Sequence, residues 1–156
     1  MQKDLPGIFY AENASTAAYE IAERPAPEGW EVAYGIAKDG EDLGWVAARH
    51  TLVGRLAEAY PVGARDLEID VHTEHTEALN AITYHMLELD PACRRIVLAT
   101  AAGDIPAIDF GERAGYRYVV DVEIFEGSEF VDLSLLVAEP EWVLKEPRAI
   151  ETRAGH

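Results

Sequence analysis

The segment that decides the fold lies in the second half of the chain and has the sequence Asp104-Ile-Pro-Ala-Ile-Asp-Phe-Gly-Glu-Arg-Ala-Gly-Tyr116. It predicts a helix over residues 104–114, because proline is tolerated in the first turn of a helix and glycine commonly follows the last turn. The apolar run of residues 96–99 precedes this helix, and the alternating residues 118–125 follow it. A strand–helix–strand unit is therefore predicted here.

The residues before this unit extend the same alternation of strands and helices. Residues 67–71 place Leu67, Ile69 and Val71 on one side, which predicts a strand. Apolar residues then recur at helical spacing over residues 76–89, with Thr76 expected to cap the helix and Asp90-Pro91 to end it. A β-α-β-α-β order implies some parallel pairing with right-handed crossovers.

The first third of the chain predicts antiparallel pairing. Residues 30–37 and 45–52 form two alternating segments around a glycine-rich turn, which is typical of a hairpin. A short helix is expected from Asn13 or Ser15 to about Glu23, a helical turn over residues 56–60, and a last strand over residues 130–137. The sequence therefore predicts an α/β domain with one mixed, twisted sheet of about six or seven strands and helices on both faces.

Length and charge narrow the classes of function. The chain has 156 residues, which fits a single domain. Its formal net charge of −16 argues against nucleic acid and anionic membranes as partners, because binding phosphates requires clustered Lys and Arg. An acidic cleft would suit a cationic or neutral small substrate, although acidity also serves solubility alone. A single cysteine, no signal-like start and no apolar run of about 18 residues predict a cytoplasmic protein.

The segment at residues 104–116 resembles the C-terminal helix motif of the GCN5-related N-acetyltransferase (GNAT) superfamily, N-x-x-A-I-x-F-Y-E-K-x-G-F. The matching positions are Ala107, Ile108, Phe110, Glu112, Arg113, Gly115 and Tyr116. The order of elements agrees from about residue 30 to residue 137. The resemblance implies a GNAT-like acyltransferase domain over residues 1–145, followed by a flexible tail at 146–156. The sequence of residues 112–116 is most similar to the branch of the superfamily that acetylates hydroxylamines or lysine side chains in siderophore assembly.

The resemblance also implies a reaction and a cofactor. Such enzymes hold a pair of parallel strands apart, here residues 67–71 and 96–100, and bind acetyl-CoA or another acyl-CoA in the gap. A small amine or hydroxylamine then attacks the thioester directly. The residues expected near the cofactor are Val71, Thr73, Thr76, Thr100, Asp104, Ala107 and Phe110. For Asp104, capping of the following helix is the favoured role.

Two departures from the family pattern favour a second hypothesis. The loop that usually binds the pyrophosphate through glycines and a basic residue is replaced by Val71-His-Thr-Glu-His-Thr-Glu77, in which Glu74 and Glu77 would repel phosphate. Gly111 stands where the family commonly has a tyrosine that protonates the leaving thiolate. The alternative function is a non-catalytic GNAT-like domain that has lost CoA binding and serves as a small-ligand-binding or protein-interaction module.

His72 and Asp70 are the candidate catalytic residues. Histidine titrates near neutral pH and can act as a base toward an amine, and Asp70 lies on the same strand face, where it could orient His72. An ordinary polar surface of a strand explains the same residues. The spacing of His72 and His75 is compatible with zinc, but no third ligand is specified, so no metal is expected.

Three further expectations concern the rest of the chain. Cys93 lacks a pattern of nucleophile activation, so a structural role is expected. Trp30, Trp45, Tyr34 and Tyr60 could line a substrate pocket, although core or interface positions are the commoner fate of aromatic residues. The last strand and Trp142 could form the edge of a homodimer, because sheet edges tend to be covered.

Overall fold

The computed structural model describes residues 4–59 and 63–146 of the chain. These residues form an eight-stranded sheet and two α-helices, joined by short 3₁₀ turns. The strands are β1 Ile8–Phe9, β2 Glu20–Arg24, β3 Val32–Lys38, β4 Glu41–His50, β5 Leu67–His72, β6 Ile96–Ala101, β7 Arg117–Glu126 and β8 Glu129–Pro140. The helices are α1 Thr76–Leu89 and α2 Ile105–Arg113.

The sheet mixes parallel and antiparallel pairing. Its order is β1-β8-β6-β5-β4-β3-β2, and β7 also pairs with β8. Strands β2 to β5 form an antiparallel meander, β5 and β6 are parallel, and β8 runs antiparallel to both β6 and β7. The predicted single α/β domain with a mixed sheet is confirmed. The eighth strand, beyond the six or seven expected, comes from the short segments near the N-terminus.

Both α-helices pack against the same face of the sheet, whereas the sequence predicted helices on both faces. Ala78, Leu79 and Ile82 of α1 share one apolar cluster with Ile108 and Phe110 of α2. The reason is topological: β5, β6 and β7 all run in one direction and are reached in order across the sheet. Two successive right-handed crossovers then place their helices on one side. We call this side the helix face.

The opposite face of the sheet is covered by non-helical chain. Its apolar cluster joins Leu56, from the segment between β4 and β5, to Val97 of β6 and to Ile124, Leu133 and Leu135 of the β7–β8 hairpin. We call this side the hairpin face.

The prediction of a short helix ending at about Glu23 is wrong. The structure has two 3₁₀ turns, Ala11–Asn13 and Thr16–Ala18, and then strand β2, which pairs along the edge of β3. The backbone N–H and C=O groups along the edge of β3 need hydrogen-bond partners, and β2 supplies them. An apolar pattern of only three residues gives a short helix too little stability to compete with this pairing. Tyr60 and most of the predicted tail, from residue 147 on, lie outside the described residues.

The helix ends position the segments that matter for the site. Helix α1 begins at Thr76 with His75 as the N-cap residue, so the predicted capping by Thr76 is wrong. The helix–strand order leaves residues 73–75 as a tight turn between β5 and α1. In α2, the Asp104 carboxylate accepts a bond from the Ala107 N–H at 3.2 Å, as the sequence predicted.

Candidate active site

Strands β5 and β6 pair over only three positions and then diverge. The last pair is Ile69 with Leu98, although β5 continues to His72 and β6 to Ala101. Beyond that point β5 stays paired with β4, and β6 stays paired with β8. Beyond Ile69 and Leu98, the facing edges of β5 and β6 are therefore not paired with each other. A cleft of about 340 Å³ lies between them.

The wall of this cleft includes residues from both faces of the sheet. Trp30, Arg55 and Asp70 belong to the hairpin face. The contributions from β5, β6 and the helix face are Ile69, Val71, Thr73, Leu98, Ala99, Thr100, Ala101, Asp104, Ala107 and Phe110. Most of the residues proposed from the sequence thus meet in one cavity. His72 and Thr76 lie beside that wall, at the end of β5 and the start of α1.

His72 is held by its neighbours on the hairpin face. Its Nε2 lies 2.8 Å from Asp70 Oδ2, and its ring stacks on Trp45 with 3.8 Å between centroids and 4° between planes. The guanidinium of Arg24 lies 4.6 Å from the centre of the Trp45 ring. The pairing of Trp45 with His72 across β4 and β5 sets this stack, since paired residues of neighbouring strands point to one face. The imidazole of His72 and the carboxylate of Asp70 are each partly exposed, so water and small solutes can reach both.

A buried ion cluster adjoins the same cleft, and sequence reasoning missed it. Glu68 is fully buried on β5, where its Oε1 accepts bonds from Arg49 Nε at 3.2 Å and Nη2 at 3.1 Å, and its Oε2 accepts one from Arg55 Nε at 2.9 Å. The ring of Trp30 covers the Arg49 guanidinium at 4.1 Å. The available signal was the strand register, which places Arg49 opposite Glu68.

The turn between β5 and α1 is stabilised by its own side chain. The Thr73 hydroxyl donates to Leu43 O at 2.6 Å and accepts a bond from the His75 N–H at 3.1 Å. Gly44 lets the neighbouring strand approach, because a Cβ there would lie 2.5 Å from His72 O and 2.8 Å from Thr73 Cβ. One N–H group of the turn is therefore already bonded, and Glu74 and Glu77 add negative charge beside it.

Gly111 brings helix α2 close to the sheet. A Cβ at this position would lie 3.0 Å from the terminal methyl groups of Leu98 and Leu136. A tyrosine here would collide with the sheet, so the glycine is a packing residue in this chain. No proton donor is placed at this point of α2.

The remaining candidates have structural surroundings. Cys93 is buried, and burial raises the pKa of its thiol to about 12, so the thiolate is scarcely formed near neutral pH. Within residues 4–59 and 63–146, no group of three or more His, Cys, Asp or Glu side chains is arranged to hold a metal ion. In the same described residues, no helix has both the length and the apolarity needed to cross a membrane.

Comparison with proteins of known structure identifies the fold. No protein-family model matches the sequence, and no curated protein is significantly similar to it. An uncharacterised protein from Bacillus halodurans matches with a TM-score of 0.57 and 17% identity, over 72% of this chain and 60% of that one. Aminoglycoside acetyltransferase AAC(6')-Ib in complex with coenzyme A matches with a TM-score of 0.54 and 17% identity, over 69% and 65%. The chain has the GNAT acetyltransferase fold.

A further structure of the aminoglycoside enzyme, in complex with ribostamycin and coenzyme A, matches with a TM-score of 0.56 and 16% identity, over 75% of this chain and 68% of that one. This chain spans less than two-thirds of the length of the first two matching structures. At these identities the likeness is one of GNAT fold. The fold alone does not specify the reaction, which depends on the residues of the cleft.

Proposed function

We propose that the protein transfers an acyl group from acetyl-CoA, or another acyl-pantetheine thioester, to the nitrogen of a small amine or hydroxylamine. The observation that carries this proposal is the cleft between β5 and β6, where the two parallel strands pair at only three positions and then diverge. Side chains of α2 border the opening without filling it. The resemblance of residues 112–116 to the siderophore-type branch adds hydroxylamines and lysine-like amines to the acceptors worth testing.

The donor arm is proposed to lie on the helix-face side of the cleft. Val71 and Thr100 flank the two edges that no neighbouring strand occupies, and backbone groups at such edges suit an amide-containing chain, which can pair like an added strand. Ala107 and Phe110 of α2 border the same space with apolar atoms. A thioester bound there supplies the acyl group: one N–C bond forms, one C–S bond breaks, and the amine's proton is passed on to balance the thiolate.

The diphosphate of a complete CoA fits less well. Thr73 already bonds the His75 N–H, and two carboxylates stand close to the start of α1. The favourable dipole of a helix N-terminus remains, but these charges oppose it. The residues present therefore fit the pantetheine portion of a donor better than its phosphates.

His72 and Asp70 are proposed to accept the proton that the attacking nitrogen must lose. A general base must be held in a fixed orientation near the reacting atom, and His72 is held by the Asp70 carboxylate and the Trp45 ring. Asp70 itself lines the cleft, so the pair connects the cavity to solvent. The Asp70 carboxylate also favours binding of the cationic form of an amine before its deprotonation.

The test is calorimetric titration of acetyl-CoA and of S-acetylpantetheine at low salt, followed by thiol release with a panel of amines. Binding of either thioester, and thiol release that depends on an amine, are expected. His72→Gln is expected to lower kcat by about 10²- to 10⁴-fold with little change in donor affinity. His85→Gln, which alters a ring packed on Tyr34 of the helix face, is the matched control. Equal activity of the His72 variant and the control would remove His72 from the mechanism.

A second candidate function is a small-ligand-binding or interaction module that uses no CoA. The observation in its favour is the β5–α1 turn, whose His75 N–H is already bonded and whose neighbours include Glu74 and Glu77. The titration separates the two: absence of heat with both thioesters at millimolar concentration supports the module and overturns the transferase.

A further inference from the structure

The cleft carries opposite charges at two places on the hairpin face. Asp70 lines it from β5, and Arg55 lines it from the segment between β4 and β5. Asp70 is accompanied by His72, which the proposed function assigns to the amine nitrogen. Arg55 has no role in that chemistry, so its place in the wall requires a separate explanation.

The ion cluster behind Arg55 engages only part of its guanidinium in hydrogen bonds. Glu68 is fully buried and is the shared partner of two guanidinium groups, Arg49 and Arg55. One carboxylate therefore faces two cations. Glu126, whose side chain is half exposed, forms an ion pair with Arg55 Nη1 at 3.7 Å, which is longer than a hydrogen bond. The terminal N–H groups of Arg55 therefore keep hydrogen-bonding capacity for a ligand in the cleft.

Burial of Glu68 also fixes the orientation of Arg55. A guanidinium held through its Nε by a buried carboxylate keeps its remaining N–H groups in one plane, and that fork geometry matches a second carboxylate. Gly54 leaves the room that this arrangement needs, because a Cβ there would lie 2.7 Å from Arg49 Nε and 3.1 Å from Glu68 Oε1.

The net charge of the whole chain bears on which ligands Arg55 could bind. A carboxylate ligand approaching a protein with a net charge of −16 is repelled unless a local cation compensates. A simple cationic amine would need only Asp70 and would leave the terminal N–H groups of Arg55 without a hydrogen-bond acceptor. A ligand with both charges satisfies both places in one cavity.

We propose that the acceptor is a small zwitterion, an amino acid or a similar compound in which an amine and a carboxylate lie within one small molecule. Its carboxylate is bound by Arg55 and its amine is directed to Asp70 and His72. The ring of Trp30, which is braced on Arg49 and lines the cleft, provides an apolar wall for the rest of the molecule. This inference rests on the proposed function for the fate of the amine, but the carboxylate site can be tested alone.

The first experiment uses the wild-type chain and matched ligands. The common L-amino acids, their primary amides and the corresponding decarboxylated amines are compared by thermal shift without a donor, and then by thiol release with acetyl-CoA or S-acetylpantetheine. For at least one amino acid, binding and kcat/KM are expected to exceed those of its amide and amine by about 10- to 100-fold, the usual value of a charge-assisted bond.

The second experiment uses three variants of the ion cluster. Arg55→Gln and Arg49→Gln each remove one partner of the buried Glu68, so both are expected to lower thermal stability. Only Arg55→Gln is expected to abolish the preference for the amino acid over its amide. Arg55→Lys keeps the charge without the planar fork and is expected to restore some of that preference.

The outcomes separate the inference from the proposed function. Amides and simple amines that are bound and acylated as well as amino acids overturn the zwitterion site and leave the transferase intact. Preferential binding of amino acids without any thiol release supports the site and counts against the transferase. Loss of the preference in Arg49→Gln to the same extent as in Arg55→Gln would also overturn the inference, because the effect would then be structural.

Discussion

Two neighbouring regions at the end of β5 differ in how well they suit the proposed acyl-CoA donor. Along the side of β5 that faces β6, the strand edge beyond Ile69 has no neighbouring strand, and a cleft opens beside it. A few residues later, at the turn into α1, the Thr73 hydroxyl occupies the His75 N–H and acidic residues follow. The first region is open to an extended polar chain, and the second is closed by its own side chain and charge.

Under the proposed function, the two halves of a CoA site depend on different features of this chain. The pantetheine half depends on strand geometry, which hydrogen bonds to β4 and β8 maintain on the outer sides of the gap. The phosphate half depends on free N–H groups and the sign of nearby charge, which a few substitutions in a turn can change. A chain can therefore keep the first and lose the second without any change of fold.

The largest expected effect comes from filling the cleft. Ala107→Trp places an indole in the wall contributed by α2, and we expect donor binding to weaken by about 100-fold or more, because the arm and the ring would compete for one space. Calorimetry with S-acetylpantetheine measures this. Ile105→Trp, at an exposed position of the same helix, is the control and should leave binding unchanged. Unaltered affinity in Ala107→Trp would place the donor elsewhere.

An intermediate effect is expected at the turn. The double variant Glu74→Gln and Glu77→Gln removes two like charges from the phosphate side, which is worth about 1 kcal/mol each at close range before screening. We expect acetyl-CoA to bind about 10-fold more tightly at low salt, with the gain shrinking as salt is added and with S-acetylpantetheine unaffected. Glu88→Gln, near the far end of α1, serves as the control. An equal gain for both thioesters would contradict the separation of the two halves.

The smallest expected effect concerns the hydroxyl that closes the turn. Thr73→Val keeps the shape of the side chain but removes its bonds to Leu43 O and from the His75 N–H. The free energy of unfolding should fall by about 1 kcal/mol, measured by denaturant titration. Thr100→Val, whose hydroxyl makes an exposed bond to Ala101 O, should cost less. If the two variants lose the same stability, the turn is not held by Thr73.

Much of the fold was predictable because local patterns agreed with long-range contacts. The alternation of Leu67, Ile69 and Val71 specifies which face of β5 meets the helices, and the same residues pack there. Asp104 and Gly115 mark the two ends of α2, the first by its capping bond and the second by a positive φ of 112°. These signals lie within a few residues of what they determine.

The features that were missed depend on partners far apart in the sequence. The N-terminal segment has weak helical periodicity, and the need of β3 for an edge partner decides its conformation as β2. Glu68 alternates with the candidates Asp70 and His72 on the polar side of β5, yet it is buried because Arg49 and Arg55 pair with its carboxylate. Which face of a sheet a second layer covers follows from topology, which no local pattern encodes.

The placement of both helices on one face has a consequence for how this scaffold diversifies. The opposite face, where Arg55 and Trp30 border the cleft, is covered by the irregular connection between β4 and β5, whose Leu56 packs on β6 and the β7–β8 hairpin. Connections and hairpin tips tolerate insertions and substitutions far better than packed helices do. Under the proposed function, substitutions in residues 51–59 could change which acceptor is modified, while β5 and β6, which flank the proposed donor site, stay unchanged.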